Sequence, residues 1–222
     1  MSRRSTIPAM LTGLILLVPC SRASGAGTSI VLRLRPGIGI PSGDFADENL
    51  ADARNGLQVG GSLEVLLQER VALGVEGRWM RNKQGDEGKT VDLGLGTTVH
   101  HDEDRFTTTH IGACARYRIS AGPSKVHPNV QLGLGAYRMK EKFVDTTTGP
   151  SGASTSSTED KFGSRIGWRL GLGADYDVSS AVGLGVVADY TSVSMDEDTY
   201  VSSKAPFFSI AGVLSCTFSI SH

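Results

Sequence analysis

Charged side chains recur at alternate positions along several stretches of the chain, always in the same phase. Residues two apart on an extended strand point to the same side, so these charges would share one face of a sheet. Acids and arginines gathered there can form fixed ion pairs, or they can exchange partners and pass water and small ions. The candidates are Arg33, Arg35, Glu64, Glu76, Arg78, Arg116, Arg118, Arg169, Asp175 and Asp189.

A second group of reactive side chains is the run His100-His101-Asp102-Glu103-Asp104. Imidazole and carboxylate groups are metal ligands, but adjacent residues seldom converge on one ion without a turn built for it. The run is therefore predicted to be a solvated acidic segment that exchanges divalent cations with lipopolysaccharide, and no metal site is expected. His110 and many serines offer parts of a hydrolase, yet no spacing ties a nucleophile to a base and an orienting acid. We expect no enzyme activity and no cofactor.

The composition excludes several classes of protein. The 222 residues include 28 glycines and 3 cysteines, and the formal net charge is −1. Three cysteines are too few for a disulfide scaffold, and balanced charge argues against a nucleic-acid partner. Glycine is the unusual figure, since its background is roughly 7%, and it needs a positional explanation.

Apolar residues alternate with polar or small ones in eight separate runs, which is the pattern of a strand with two chemically different faces. No segment after the first thirty residues shows a helical stripe. Val91, Leu93 and Leu95 also alternate and could extend the sheet, so ten strands is the alternative count. The eight runs cover residues 30–40, 57–67, 71–80, 109–119, 130–137, 166–176, 182–191 and 208–220.

The segments between these runs alternate between short and long. Residues 68–70, 120–128 and 177–181 are short turns, whereas residues 41–56, 81–106, 145–163 and 194–206 are long polar loops. The Ser/Thr-rich stretch 146–158 is predicted to be a mobile loop, since its composition buries too little area to fold alone. Short turns on one side and long loops on the other are typical of an up-and-down barrel in the bacterial outer membrane.

The two faces decide between a membrane barrel and a soluble one. One face is Leu, Val, Ile and aromatic, while the other carries the charges and much of the glycine, including Gly133, Gly135, Gly171 and Gly173. A soluble lipocalin-like carrier would need bulky apolar residues inside. The narrow interior of eight strands instead favours glycine, and we predict an all-β, eight-stranded antiparallel transmembrane barrel.

Aromatic residues on the apolar face divide between the two ends of the predicted strands. Such residues form girdles at the two interfaces of a bilayer. The set toward the long loops and then the set toward the short turns are Trp79, Trp168, Tyr190 and Phe208; Tyr117, Tyr176 and Phe218.

The first 26 residues are predicted to be a cleaved signal peptide, followed by one barrel domain over residues 27–222. Arg3 and Arg4 precede a short apolar run, and Ala26 ends a small-residue cleavage site. Pro19 argues against lipidation of Cys20.

Cys114 and Cys216 fall in opposite phases, so no disulfide between them is expected.

With this alternation, the segment Pro41-Ser42-Gly43-Asp44-Phe45 and the final alternating strand, the chain resembles the small outer-membrane β-barrel family, typified by the transmembrane domain of outer membrane protein A and outer membrane proteins X and W. The resemblance covers residues 28–222. It implies insertion by the barrel assembly machinery, whose usual terminal aromatic residue is replaced here by His222.

The expected function is structural or surface-interacting, through four long extracellular loops and a narrow or plugged lumen. The expected partners are outer-membrane lipid, lipopolysaccharide, the assembly machinery and an extracellular ligand at the loops. A plug is favoured over a gate because an eight-stranded interior is filled by its own side chains. The alternatives are a small-solute channel, a lateral transporter of a hydrophobic molecule and, less favoured, a soluble periplasmic carrier.

Overall fold

Eight long strands close into a barrel because the first strand of the chain pairs with the last. The computed structural model describes residues 28–47, 52–67, 70–85, 87–119, 124–161, 163–194 and 204–220, so the predicted signal peptide, Cys20 and His222 lie outside the described residues. The strands are β1 Thr28–Pro41, β2 Ala53–Leu67, β3 Val71–Gln84, β4 Thr90–Gly94, β5 Thr97–Arg118, β6 Val126–Gly149, β7 Gly152–Lys161, β8 Arg165–Asp177, β9 Val182–Ser194 and β10 Lys204–Ile220.

All neighbouring strands are antiparallel, and β1, β2, β3, β5, β6, β8, β9 and β10 form the closed ring. The closing register runs from Thr28↔Ile220 to Pro41↔Phe207. Closure gives every barrel strand two hydrogen-bonded neighbours, which a bilayer requires because it offers the backbone no water. The predicted eight-stranded barrel is confirmed. No helix in the described part of the chain is long and apolar enough to cross a membrane.

The other two strands lie beyond the barrel wall. β4 pairs with the beginning of β5, and β7 pairs with the end of β6 over ten residue pairs. These segments form a four-stranded extension, here called the protruding sheet, from residues 90–105 and 140–161. The prediction of long loops over 81–106 and 145–163 was therefore wrong. Both faces of β4 and β7 are exposed. β7 carries no apolar alternation, and its threonines favour extended backbone, whereas the alternating Val91 and Leu93 lie in β4.

Burial alternates along the barrel strands, and the apolar face is the one that points outward. Leu57, Ile111 and Ile166 are about 70% exposed, whereas the residues that alternate with such outward positions along each strand are mostly buried. A soluble carrier would show the reverse arrangement. A continuous apolar exterior on a polar interior matches a wall surrounded by lipid.

Glycines on the inner face make room for the charged side chains. A Cβ atom on Gly133 would collide with Glu76 Oε1, and one on Gly171 would collide with Asp189 Oδ1. Much of the excess glycine thus has a steric reason, because eight strands enclose little space.

Candidate functional site

The inner face of the barrel holds nine of the ten predicted charged residues in one connected network. Five arginines and four carboxylates come from β1, β2, β3, β5, β8 and β9, and all nine are buried. They are Arg33, Arg35, Glu64, Glu76, Arg78, Arg116, Arg169, Asp175 and Asp189. Arg118 is half-buried where β5 ends, and its Nε bonds to no described residue.

The upper half of the network, which lies nearer the end of the barrel with long connections, is centred on Arg169. Its Nε and Nη2 donate to the two Glu76 oxygens at 3.1 and 2.6 Å, and its Nη1 donates to Asp189 Oδ1 at 2.5 Å. Arg78 Nη2 reaches Asp189 Oδ2 at 3.4 Å. β3 is adjacent to neither β8 nor β9, so these contacts cross the lumen.

The lower half lies nearer the short turns. Arg116 donates to Glu64 Oε2 from Nε at 2.9 Å and from Nη2 at 2.8 Å, while Arg33 Nη2 donates to Asp175 Oδ1 at 2.6 Å. Arg35 joins the halves, with its Nη2 3.3 Å from Glu76 Oε2 and 3.9 Å from Glu64 Oε1. Each of the four carboxylates in the network therefore has at least one arginine partner.

Neutral polar side chains complete the network, and the sequence analysis did not single them out. Ser62 donates to Glu64 at 2.6 Å, and Asn129 donates to Asp175 at 3.1 Å. Gln131 accepts from Arg169 at 3.4 Å and donates to Asn129 at 2.8 Å. Their position in the inward phase was the signal that could have identified them.

Two clusters of buried apolar side chains, here called the apolar layers, lie inside the barrel between the network and the end with long connections. The inner layer contains Met80, Tyr137, Val193 and Phe207, and His110 stacks on Tyr137 at 4.2 Å between ring centroids. The outer layer contains Phe45, Ala53, Phe106, Met139 and Ala205. Phe45 enters it from the 3-10 turn Gly43–Phe45, with its ring centroid 5.2 Å from that of Phe106. Sequence reasoning missed the outer layer because Phe45, Ala53, Phe106 and Ala205 fall in segments that were predicted as loops. It missed the inner layer because Val193 and Phe207 lie just outside the predicted runs.

The seven predicted interface aromatics lie on the outer face. Tyr190 lies between Trp168 and Phe208, with ring centroids 5.5 and 5.1 Å away, and forms a cluster on β8, β9 and β10. Trp79 lies on β3 toward the same end of the barrel. Tyr117, Tyr176 and Phe218 lie toward the opposite end.

The histidine and acid run in β5 does not gather around one point. His101 Nδ1 lies 2.8 Å from Asp145 Oδ1, His100 Nδ1 lies 2.8 Å from Thr90 Oγ1, and Glu103 accepts from lysine and arginine. Alternation along β5, together with the bulge between His101 and Glu103, separates these side chains. Within the described ranges, no three metal-ligating side chains are grouped. Cys114 and Cys216 are both free thiols.

Comparison with known proteins agrees with this geometry. The model of the outer membrane protein beta-barrel domain matches residues 11–205. The neisserial surface protein NspA has 14% sequence identity and a TM-score of 0.54, covering 86% of this chain and 97% of that one. Ail of Yersinia pestis has 14% identity, a TM-score of 0.42 and coverages of 86% and 99%. OprG from Pseudomonas aeruginosa has 11% identity, a TM-score of 0.46 and coverages of 88% and 97%.

No curated protein sequence shows significant similarity to the chain. At the identities of the solved structures, the likeness is one of fold. The family model matches most of the chain. The closed eight-stranded ring and the apolar exterior agree with that family. The chain belongs to the outer membrane protein β-barrel domain family and is a protein of the bacterial outer membrane.

Proposed function

We propose that this protein is a non-conducting barrel that anchors the protruding sheet at the cell surface and acts there by contact. The observation that carries this proposal is the filled lumen. A charge network crosses the barrel, and two apolar layers lie between that network and the end with long connections.

The energetics favour a plug. Leaving one member of a buried ion pair without its partner costs about 3 to 5 kcal/mol. Opening a path through the network would strand several such charges together. Arg35 is placed to exchange partners, since Glu64 and Glu76 are both near its Nη2, and Arg116 likewise lies near both Glu64 and Asp175. That exchange would leave both apolar layers in place.

A liposome-swelling assay tests the plug. Proteoliposomes carrying the folded protein are placed in isotonic solutions of small sugars and amino acids, with a general porin as the positive control. We expect swelling no faster than in protein-free liposomes. Rapid swelling that declines with solute size would replace the plug with the small-solute channel.

The protruding sheet supports the contact role through its tip. Leu95 is 99% exposed and has φ of 54°, and Val91 and Leu93 are exposed on the adjoining strand β4. Leucine is an unfavourable choice for a left-handed, solvated position, and such outliers motivate functional hypotheses. We propose that this tip contacts the extracellular ligand.

Adherence of cells to immobilised host matrix proteins tests the tip. Leu93→Ser with Leu95→Ser should reduce adherence without lowering the amount of heat-modifiable protein in the outer membrane. Ser154→Ala with Ser156→Ala on β7 is the matched control. Equal adherence of both variants would remove the tip from the contact surface.

The remaining proposed partners follow from the barrel wall. Outer-membrane lipid would cover the apolar exterior, with the aromatic residues at its two interfaces. The barrel assembly machinery would recognise β10, although its terminal position His222 lies outside the described residues.

A further inference from the structure

One flank of the barrel carries seven basic side chains, here called the basic flank. They come from four adjacent strands, β3, β5, β6 and β7. Arg138 is exposed, and exposed fractions of the side chains paired with acids range from 22% for Arg105 to 67% for Lys83. The seven are Arg81, Lys83, Arg105, Arg138, Lys140, Lys142 and Lys161.

The acids on this flank are too few to neutralise it. Glu103 accepts from Arg81 at 3.0 Å and from Lys142 at 2.6 Å, and it also contacts Arg105. Glu159 accepts from Lys140 at 3.1 Å and pairs with Lys161 at 3.4 Å. Five cations thus share two carboxylates, and Glu87 pairs with Lys83 at 3.0 Å, so these three acids face seven cations. Hydrogen bonding from Lys140 lowers the pKa of Glu159, and burial together with Arg81 lowers the pKa of Arg105.

The strand register places the basic flank directly above the lipid-facing wall. Trp79, Thr109 and Arg138 form one cross-strand row on the outer face. The next row is Arg81, Thr107, Lys140 and Lys161, and the row beyond it contains Lys83, Arg105 and Lys142. Neighbouring strands lie about 4.8 Å apart, and residues two apart on a strand about 7 Å, so the cations cover a compact area.

The direction of these side chains identifies the surface that they meet. They share the outward phase of Trp79 and lie level with it or beyond it toward the long connections, so they point sideways from the wall below the Leu95 tip. If Trp79 marks the lipid interface, as its type and position suggest, lipid headgroups are the surface that these cations meet. The strands that follow β6 around the ring, β8, β9 and β10, present the aromatic cluster Trp168, Tyr190 and Phe208. The barrel therefore has one aromatic and one basic flank toward the same interface.

We propose that the basic flank binds the phosphate groups of lipopolysaccharide in the outer leaflet, seating one phosphorylated glycolipid against β3, β5, β6 and β7. This inference goes beyond the proposed contact role, because the basic flank lies below the Leu95 tip and faces the lipid that surrounds the wall. Arginine and lysine form strong charge-assisted hydrogen bonds with phosphate. The sequence analysis assigned lipopolysaccharide to acidic loops through divalent cations, but Glu103 and Glu159 are occupied by arginine and lysine.

The test compares two lipids on the full-length folded protein in detergent. Bisphosphorylated lipid A and its fully dephosphorylated counterpart are titrated in the presence of a divalent-cation chelator, and bound lipid is counted by native mass spectrometry. We expect the phosphorylated lipid to bind at least about tenfold more tightly, since a charge-assisted hydrogen bond is strong enough for such a difference. Equal binding of both lipids would overturn the proposal.

A triple variant locates the site. Lys140→Gln, Lys142→Gln and Lys161→Gln together should remove most of that preference. The matched control is Arg70→Gln, Lys125→Gln and Lys204→Gln, which removes the same charge from exposed positions elsewhere and should keep the preference. An equal loss in both triple variants would reduce the effect to net charge and contradict the site.

Two further measurements separate a failure of the proposal from a failure to fold and from binding of another ligand. If the triple variant does not shift on a gel between unheated and heated samples, it has not folded, and Lys140→Gln and Lys161→Gln are compared singly. If the wild-type protein prefers a soluble sulfated glycan over lipid A phosphate, the basic flank serves an external partner and the proposal fails. Because liposome swelling reports only on the lumen, failure here is distinguishable from failure of the plug.

Discussion

Arg169 and Glu76 form a two-point ion pair across the lumen, with Nη2 to Oε2 at 2.6 Å and Nε to Oε1 at 3.1 Å. The two residues are 93 positions apart in sequence, and β5 and β6 separate their strands on the barrel wall. A planar guanidinium matches a carboxylate in this geometry, which fixes the orientation of both groups. The pair therefore ties opposite parts of the wall together through the interior.

Glu76→Gln should destabilise the folded barrel by about 3 kcal/mol, because it leaves buried arginines without their carboxylate. Unfolding in urea from lipid vesicles, followed by tryptophan fluorescence, measures the change. Glu87→Gln is the control, since Glu87 pairs with the exposed Lys83 and should change stability by less than about 1 kcal/mol. Equal effects of the two variants would show that the buried network contributes no more than a surface pair.

Gly135→Ala should destabilise the barrel by about 1 to 3 kcal/mol, since overpacking forces the neighbours to shift. The added Cβ would lie 2.6 Å from Gly112 Cα and 2.6 Å from His110 Nε2. Gly212→Ala is the matched control on β10, because no atom lies within 4 Å of its added Cβ. The measurement is the urea midpoint of unfolding, which should be lower for Gly135→Ala than for Gly212→Ala. Similar midpoints would argue that the interior does not require glycine for steric reasons.

Leu95→Asn should tighten the β4–β5 hairpin by about 1 kcal/mol, since asparagine tolerates a left-handed backbone better than leucine. Gly94 and Gly96 on either side also have positive φ, so the turn requires this conformation. Hydrogen exchange of the amides in β4 should become slower in the variant. Leu93→Asn, at a neighbouring exposed position without positive φ, should not slow it. Faster exchange in Leu95→Asn would mean that the leucine itself holds the turn.

Alternation was sufficient to predict the eight barrel strands and the face on which each charge lies. Glu76 and Arg78 are buried while Trp79 faces outward, as their phases require. Alternation could not reveal the ion-pair partners, because a contact such as Arg78 to Asp189 depends on how strands across the lumen are staggered. That stagger is a property of the closed ring and has no local sequence signal.

The protruding sheet and the apolar layers show the second limit of sequence reasoning. Ser154 and Ser156 lie on β7, whose side chains are all exposed, so no contrast between faces marked the strand. Phe45 reaches the lumen from a turn outside any strand, and its contact with Phe106 follows only from the folded arrangement.

Single-channel recording in planar bilayers tests the closed lumen most directly. We expect no steady conductance from the wild-type protein, since the network and both apolar layers lie across the lumen. The variant Glu76→Ala with Arg169→Ala should also remain closed, because Phe106 and Phe207 still fill the layers beyond the network. Discrete, long-lived openings of the wild-type protein would contradict the account and identify the barrel as a channel.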